Sequence, residues 1–354
     1  MGITTEAQLR QFLHSKDVPC DEVDFLEGGS ANFCWRIKSR SNGRSIIKHA
    51  EPYIRIIPDV PLPQERIYYE QLTLECLATM LSADEKIRLP RVHEYFPDKH
   101  LLHMSDGGAL DLRQCYKTGL HLDFALLAQR IGLWLARLHN ATSAQPALSV
   151  LREKLDGNAT DFAYQYPFKG VASVLEHQGF DPALGERINA AYGSESVEDK
   201  VCLCHGDFWL SNIQVADEDT TRQSTAEGNV NQLDPVLTII DWENARVGNG
   251  ATDVGRFAAD AWLVDRFYGG KGMFSAFLTA YLAERPLSEQ EKIRLTVYFA
   301  VHIIFYSRMR WTDDEGTKKL VQTGKGVLEA VESGNQESLA TGPLMLLYSG
   351  YVVS

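Results

Sequence analysis

The chain lacks any apolar run long enough to span a bilayer. Its start, Met1-Gly2-Ile3-Thr4-Thr5-Glu6, has neither the basic opening nor the apolar stretch of a secretion signal, so the expected place of work is the cytoplasm. No basic patch stands out, and the formal net charge is −12, which argues against a nucleic-acid partner. Cysteine is sparse and scattered, at Cys20, Cys34, Cys76, Cys115, Cys202 and Cys204. A structural zinc site needs four close ligands, and no second cysteine pair accompanies Cys202-Leu203-Cys204-His205. Cysteines two apart on a strand share one face and pack as small apolar groups. The phosphate-loop pattern G-x-x-x-x-G-K-[ST] is missing, since Gly324-Lys325-Gly326 does not supply it. Repeats and low-complexity tracts are absent too. The Asn-x-Thr triplets at Asn140 and Asn158 read as incidental without a secretion signal.

What is present is a globular composition, 44% hydrophobic and 23% charged over 354 residues, enough for one or two domains. The most informative stretch is Leu203-Cys204-His205-Gly206-Asp207-Phe208-Trp209-Leu210-Ser211-Asn212. It lies between two apolar segments, Lys200–Cys204 and Ile213–Val215, that read as short strands. An acid and an amide five residues apart are thus presented by a rigid turn. A second apolar strand, Leu237-Thr238-Ile239-Ile240, runs into Asp241-Trp242-Glu243. The first loop offers a base, Asp207, and a metal ligand, Asn212. The second offers hard oxygen ligands, Asp241 and Glu243, which suit magnesium and phosphoryl transfer.

The pairing of His205-Gly206-Asp207 and Asn212 with Ile240-Asp241-Trp242-Glu243 resembles the catalytic core of the aminoglycoside phosphotransferase and choline kinase superfamily, relatives of protein kinases. The Asp-x-Glu form looks most like methylthioribose kinase and the fungal 4-hydroxytryptamine kinase branch. The resemblance implies an α/β, bilobal protein-kinase-like fold, with a small antiparallel-sheet N-lobe (1–106) and a larger, mostly helical C-lobe (107–354). It implies transfer of the ATP γ-phosphoryl group to a hydroxyl of a small molecule, with Mg2+ as cofactor.

Earlier segments extend the likeness. Val23–Lys38 reads as strand, glycine turn and strand around Gly28-Gly29-Ser30, Ser41-Asn42-Gly43-Arg44 as a hairpin turn, and Ser45–Ala50 as a third strand carrying Lys48. Glycines let backbone amides approach phosphates, and a lysine neutralises them. Ile67, Leu74 and Leu77 give the next segment a helical core face. Kinases pair the strand-three lysine with a glutamate on this helix. The resemblance selects Glu70, with Glu65 and Glu75 as rivals. By the same plan, Met104, Ser105 and Asp106 offer groups to adenine and the sugar, and Gly107-Gly108 marks the lobe boundary.

The remainder reads as helical. Phe124, Leu127, Ile131, Leu135 and Leu138 form one amphipathic stripe, and Ser288–Glu291 is a capping box. Ser149 to Glu195 is expected to hold two helices joined by an aromatic link, Phe162–Phe168. Residues 216–235 form a polar excursion, and Thr252 or Asp253 is expected to cap the helix that the loop Val247–Asp253 enters. Acceptor-site candidates are Trp209, Asp260, Arg308, Arg310 and Trp311. A pocket facing Arg308 or Arg310 would suit a sugar or an anion, as in methylthioribose. One built from Asp260 and aromatic rings would suit a hydroxylated amine such as 4-hydroxytryptamine, the reading favoured here. A silent nucleotide-binding pseudokinase is the alternative, and the intact Lys48, Asp207, Asn212 and Asp241 set argues against it.

Overall fold

The computed structural model describes residues 2–41, 43–81, 84–155, 161–193, 201–216 and 234–348, with the side chains of 161–165 excepted. The N-terminal part is an antiparallel sheet of five strands in the order Glu22–Phe25, Phe33–Ser39, Gly43–His49, Leu101–Ser105, Val92–Phe96. Alternation along these strands decides what each face does. Trp35, Ile37, Ile47, Phe96 and Leu101 point one way and pack with Leu9 and Leu13 of the Glu6–Ser15 helix. Lys48, one residue on from Ile47, therefore points the other way, paired in register with Cys34 and Leu102.

That second face receives the helix Arg66–Met80, whose buried stripe Ile67, Glu70, Leu74 and Leu77 has one charged member. Ile67, Leu74, Leu102 and Met104 belong to the same apolar cluster as the C-terminal helices. In that larger part, Phe124–Ser143 packs on Met273–Glu284, and Ala251–Tyr268 packs on Glu289–Phe305. The capping box at Ser288 is formed, with Glu291 answering it. Among the described residues no helix is long and apolar enough to cross a membrane.

Two small sheets sit where these parts meet. Cys202–Cys204 pairs antiparallel with Arg246–Gly248, and Ile213–Val215 pairs antiparallel with Leu237–Ile239. The loop 205–212 therefore starts on one small sheet and ends on the other, and the loop 240–245 makes the return trip beside it.

Two sequence expectations change. Phe162–Phe168 is not a link: it lies within one helix, Asp161–His177, and the following segment adds the short helix Ala183–Ile188. Neither Thr252 nor Asp253 caps a helix. Both lie inside the first turn of Ala251–Tyr268, whose N-cap is Gly250, and the Asp253 carboxylate is used elsewhere. Most of the polar excursion, residues 217–233, lies outside the described residues.

Candidate active site

The first loop is built from its backbone outward. Asp253 Oδ2 accepts the His205 N–H at 2.7 Å, and its Oδ1 accepts the Gly206 N–H at 3.0 Å. Burial pushes the Asp253 carboxyl up, but His139 and these donors overcome it and hold it below its ordinary range. Gly206 has φ +88°, and a Cβ there would sit 2.1 Å from the Asn244 carbonyl oxygen. Only glycine lets the two loops lie this close. His205 braces the pair from within. Its Nε2 donates to the Ile240 carbonyl at 2.9 Å, while Nδ1 accepts the Asp207 N–H at 3.2 Å. Burial keeps this imidazole below its usual pKa, and the neutral ring with its proton on Nε2 satisfies both contacts.

Asp207 emerges from this frame with both oxygens engaged. Asn212 Nδ2 donates to its Oδ2 at 3.1 Å and to its main-chain carbonyl at 2.9 Å. The amide nitrogen being committed this way, the Asn212 oxygen is left as the group to offer a cation. On the other side Arg256 Nη2 reaches Asp207 Oδ1 at 2.5 Å. Burial pushes the Asp207 carboxyl above its ordinary range, and Arg256 pulls against that. Arg256 also accompanies Trp209 and Tyr306, with its guanidinium 5.3 and 5.5 Å from their ring centres. Nothing in the sequence reading singled out Arg256.

Lys48 sits among three carboxylates. Its ammonium is 2.7 Å from Glu70 Oε2 and 3.2 Å from Glu243 Oε2, and it also pairs with Asp241 Oδ1. Burial works against the Lys48 charge, but Asp241, Glu243 and Glu70 outweigh it and hold the ammonium well above its ordinary range. Burial raises Glu70 to about 7 against the pull of Lys48. For Asp241 burial also pushes up, yet its close contact with Lys48 wins and the carboxyl lies below its usual range. Glu70, and neither Glu65 nor Glu75, is the helix acid that meets Lys48. Its second oxygen accepts the Trp242 N–H at 3.1 Å, tying the helix to the second loop. Asp241 itself has φ +69°, an uncommon setting for a residue with a side chain. Glu243 accepts from Asn32, which in turn accepts from Arg66 Nε at 3.1 Å. Neither Asn32 nor Arg66 was foreseen.

Other candidates fall in less expected places. Gly28, Gly29 and Ser30 form an exposed turn held from beside it, because Ile56 N–H donates to the Ser30 carbonyl at 3.2 Å. Met104 is a buried strand residue paired with Ile46 and Val92. Asp106 does not offer a free carboxylate to a sugar: it pairs with Arg36 Nε at 2.7 Å and Arg44 Nε at 3.4 Å, leaving its side chain 6% exposed. Asp260 is likewise spent, since it pairs with Arg113 and accepts the Leu210 N–H at 3.0 Å in full burial. It braces the loop and does not face an acceptor. Arg308 and Arg310 are exposed, and the Arg308 guanidinium covers the Phe305 ring at 4.3 Å. Trp311 is buried and donates to the Tyr306 carbonyl at 3.1 Å. Only Trp209 among these five stands next to Asp207.

Glu70, Asp241 and Glu243 each bring an oxygen within 4.8 Å of the others. The three carboxylates face Lys48, with Arg66 Nε 3.7 Å from Glu243 Oε2, and the donor set is hard oxygen throughout, which fits magnesium. A lysine-bearing sheet over two such loops defines a kinase-like phosphotransferase.

Comparison with known proteins agrees. No family model matches the chain. Two curated relatives cover nearly its full length: 4-hydroxytryptamine kinase of Psilocybe cubensis, 26% identical over 94% of this chain and 93% of that one, and 4-hydroxytryptamine kinase of Psilocybe cyanescens, 25% identical over 95% and 94%. Among solved structures, an ethanolamine kinase of Plasmodium vivax covers 92% of this chain and 89% of its own at a TM-score of 0.50 and 16% identity. A microcompartment-associated aminopropanol kinase covers 94% and 98% at a TM-score of 0.51 and 16% identity, which supports the shared fold. The chain is similar over nearly its full length to proteins named as small-molecule kinases and has a kinase-like fold; it is a phosphotransferase that acts on a hydroxyl group.

Proposed function

We propose that the acceptor is a hydroxylated aromatic amine, with 4-hydroxytryptamine as the favoured probe, and that Asp207 receives its hydroxyl proton. The observation that carries this reading is the aromatic wall beside Asp207. Trp209 and Tyr306 have ring centres 5.6 Å apart, and His302 lies 4.5 Å from Tyr306. Planar rings of this kind suit a planar acceptor. Arg308 and Arg310 are exposed and give a sugar no support, and with Asp260 held by Arg113 the aromatic rings alone carry the amine reading. The curated relatives, named as 4-hydroxytryptamine kinases, point the same way.

In this reading residues 1–106 hold the nucleotide and residues 107–354 hold the acceptor. Gly28, Gly29 and Ser30 cover the phosphates, Lys48 neutralises them, Glu70 fixes Lys48, and the segment from Met104 to Asp106 meets the base. Asn212, Asp241 and Glu243 would hold Mg2+, which when bound offsets charge on the phosphate oxygens. The acceptor hydroxyl gives its proton to Asp207 as its oxygen bonds to the γ-phosphorus. The bond from that phosphorus to the bridging oxygen breaks, ADP leaves, and the proton passes to water. His205 holds the loop that aims Asp207 and takes no proton.

The test offers purified protein ATP and magnesium with 4-hydroxytryptamine, methylthioribose, choline and an aminoglycoside in parallel. Phosphorylation of the hydroxylated indole-amine above the others is expected. Robust phosphorylation of methylthioribose with none of 4-hydroxytryptamine contradicts the acceptor assignment and leaves the kinase class standing.

A further inference from the structure

The end of the helix Glu289–Phe305 comes beneath the catalytic loop, and there His302 faces a narrow cleft. Its walls include Gly206 of the loop, Thr252 and Arg256 of the next helix, Phe168, and Tyr306. The buried polar atoms on this cleft include His302 Nε2 and Thr252 Oγ1, neither of which has a hydrogen-bond partner among the described residues. The residues are 3% and 2% exposed, so water does not readily satisfy them from outside. Buried polar atoms without partners are uncommon and costly, and a ligand that supplies the partner relieves the cost.

Arg256, one wall of the cleft, reaches Asp207 at 2.5 Å and donates to the Tyr306 hydroxyl at 2.9 Å. The cleft that His302 lines is therefore joined through Arg256 to the Asp207 carboxylate. The charged groups bearing on His302 are Arg256 and Arg113; burial first, and then these two cations, hold the imidazole well below its ordinary pKa, so it is neutral. A neutral imidazole and a threonine hydroxyl can each accept a hydrogen bond. His302 carries no charge of its own, and a neutral N–H brings none to the inner end of the cleft.

We propose that this cleft is the inner end of the acceptor site, and that His302, with Thr252, accepts a hydrogen bond from a neutral ring N–H such as an indole offers. This rests on the aromatic-acceptor reading above and makes His302 a specificity-determining residue, distinct from the machinery that handles the phosphate. The acceptor ring enters by parting the Arg256–Tyr306 contact, with its hydroxyl left beside Asp207 and its N–H directed inward.

The test is calorimetric titration with 4-hydroxyindole and with 4-hydroxybenzofuran, which replaces the ring N–H by oxygen, on the wild type, His302→Leu and His302→Gln. The wild type should bind 4-hydroxyindole about tenfold more tightly, the value of one ordinary neutral hydrogen bond. His302→Leu should abolish that preference, His302→Gln should restore part of it, and the KM for ATP should be unchanged in all three. If the leucine variant does not fold, Thr252→Val with the glutamine variant decides the matter in the same way. Equal binding of both probes by the wild type, or an undiminished preference in the variants, overturns the role of His302 alone. Binding of neither probe, with another acceptor phosphorylated, overturns the aromatic reading as well and leaves the kinase class intact.

Discussion

Arg256 Nη2 lies 2.5 Å from Asp207 Oδ1, and the same guanidinium packs 5.3 Å from the centre of the Trp209 ring. One cation thus joins the proposed catalytic carboxylate to the aromatic wall. Its electrostatic effect has a definite sign. Burial raises the Asp207 carboxyl and Arg256 opposes that rise. Arg256→Gln should therefore let the carboxyl rise further. Since turnover needs the ionised form, the acid limb of the kcat profile should move to higher pH. At neutral pH the loss should be on the order of tenfold or more. A profile with an unmoved acid limb would count against this coupling.

Lys48 balances three carboxylates, so its removal should cost more than catalysis. Lys48→Met leaves Glu70, Asp241 and Glu243 with oxygens within 4.8 Å of one another and no ammonium between them. The expected loss of stability in magnesium-free buffer is roughly 3–5 kcal/mol, as for other broken buried ion pairs. The unpaired carboxyls take up protons more readily, so the deficit should shrink as the pH is lowered toward their protonation. Added magnesium should recover part of it. Urea titrations at two pH values, with and without magnesium, measure each effect.

Asp241 and Glu243 should differ. Asp241→Ala removes a proposed magnesium ligand, and both turnover and the magnesium dependence of ATP affinity should collapse. Glu243 also holds Asn32 next to the glycine turn. Glu243→Ala should therefore raise the KM for ATP more than it lowers kcat. Normal magnesium titration in Asp241→Ala would place the ion elsewhere.

Gly206→Ala tests the packing of the two loops. Its φ of +88° and the 2.1 Å approach of a Cβ to the Asn244 carbonyl oxygen both disfavour a side chain. A loss of roughly 2 kcal/mol or more is expected from the backbone conformation and the overlap together. Turnover should fall while nucleotide affinity is largely kept, which kinetics and equilibrium binding separate.

What the sequence makes legible is whatever depends on neighbours along the chain. The spacing of Asp207 and Asn212 fixes a loop, alternation places Lys48 opposite Ile47, and the stripe of Ile67, Leu74 and Leu77 carries Glu70 to the same face. The kinase plan then joins these pieces. Long-range charge pairing is not legible in this way. Asp106 meets Arg36 70 positions away, and Asp260 meets Arg113 147 positions away, so two carboxylates that read as ligand groups are consumed within the fold. Arg256 and His302 look in sequence like ordinary members of a helix. Only packing brings them beneath the catalytic loop. Asp253 misleads for a related reason: a short acid at a helix start resembles a cap, and here its oxygens hold the backbone of another loop.

The most direct test of the account compares wild type with Asp207→Asn, using γ-labelled ATP, magnesium and 4-hydroxytryptamine. The asparagine keeps the size of the side chain and loses the proton-accepting carboxylate. Label should pass to the acceptor in the wild type. The variant should lose turnover by on the order of 10²-fold or more and still bind ATP. Near-normal transfer by Asp207→Asn would contradict the assignment of Asp207 as the group that receives the acceptor proton.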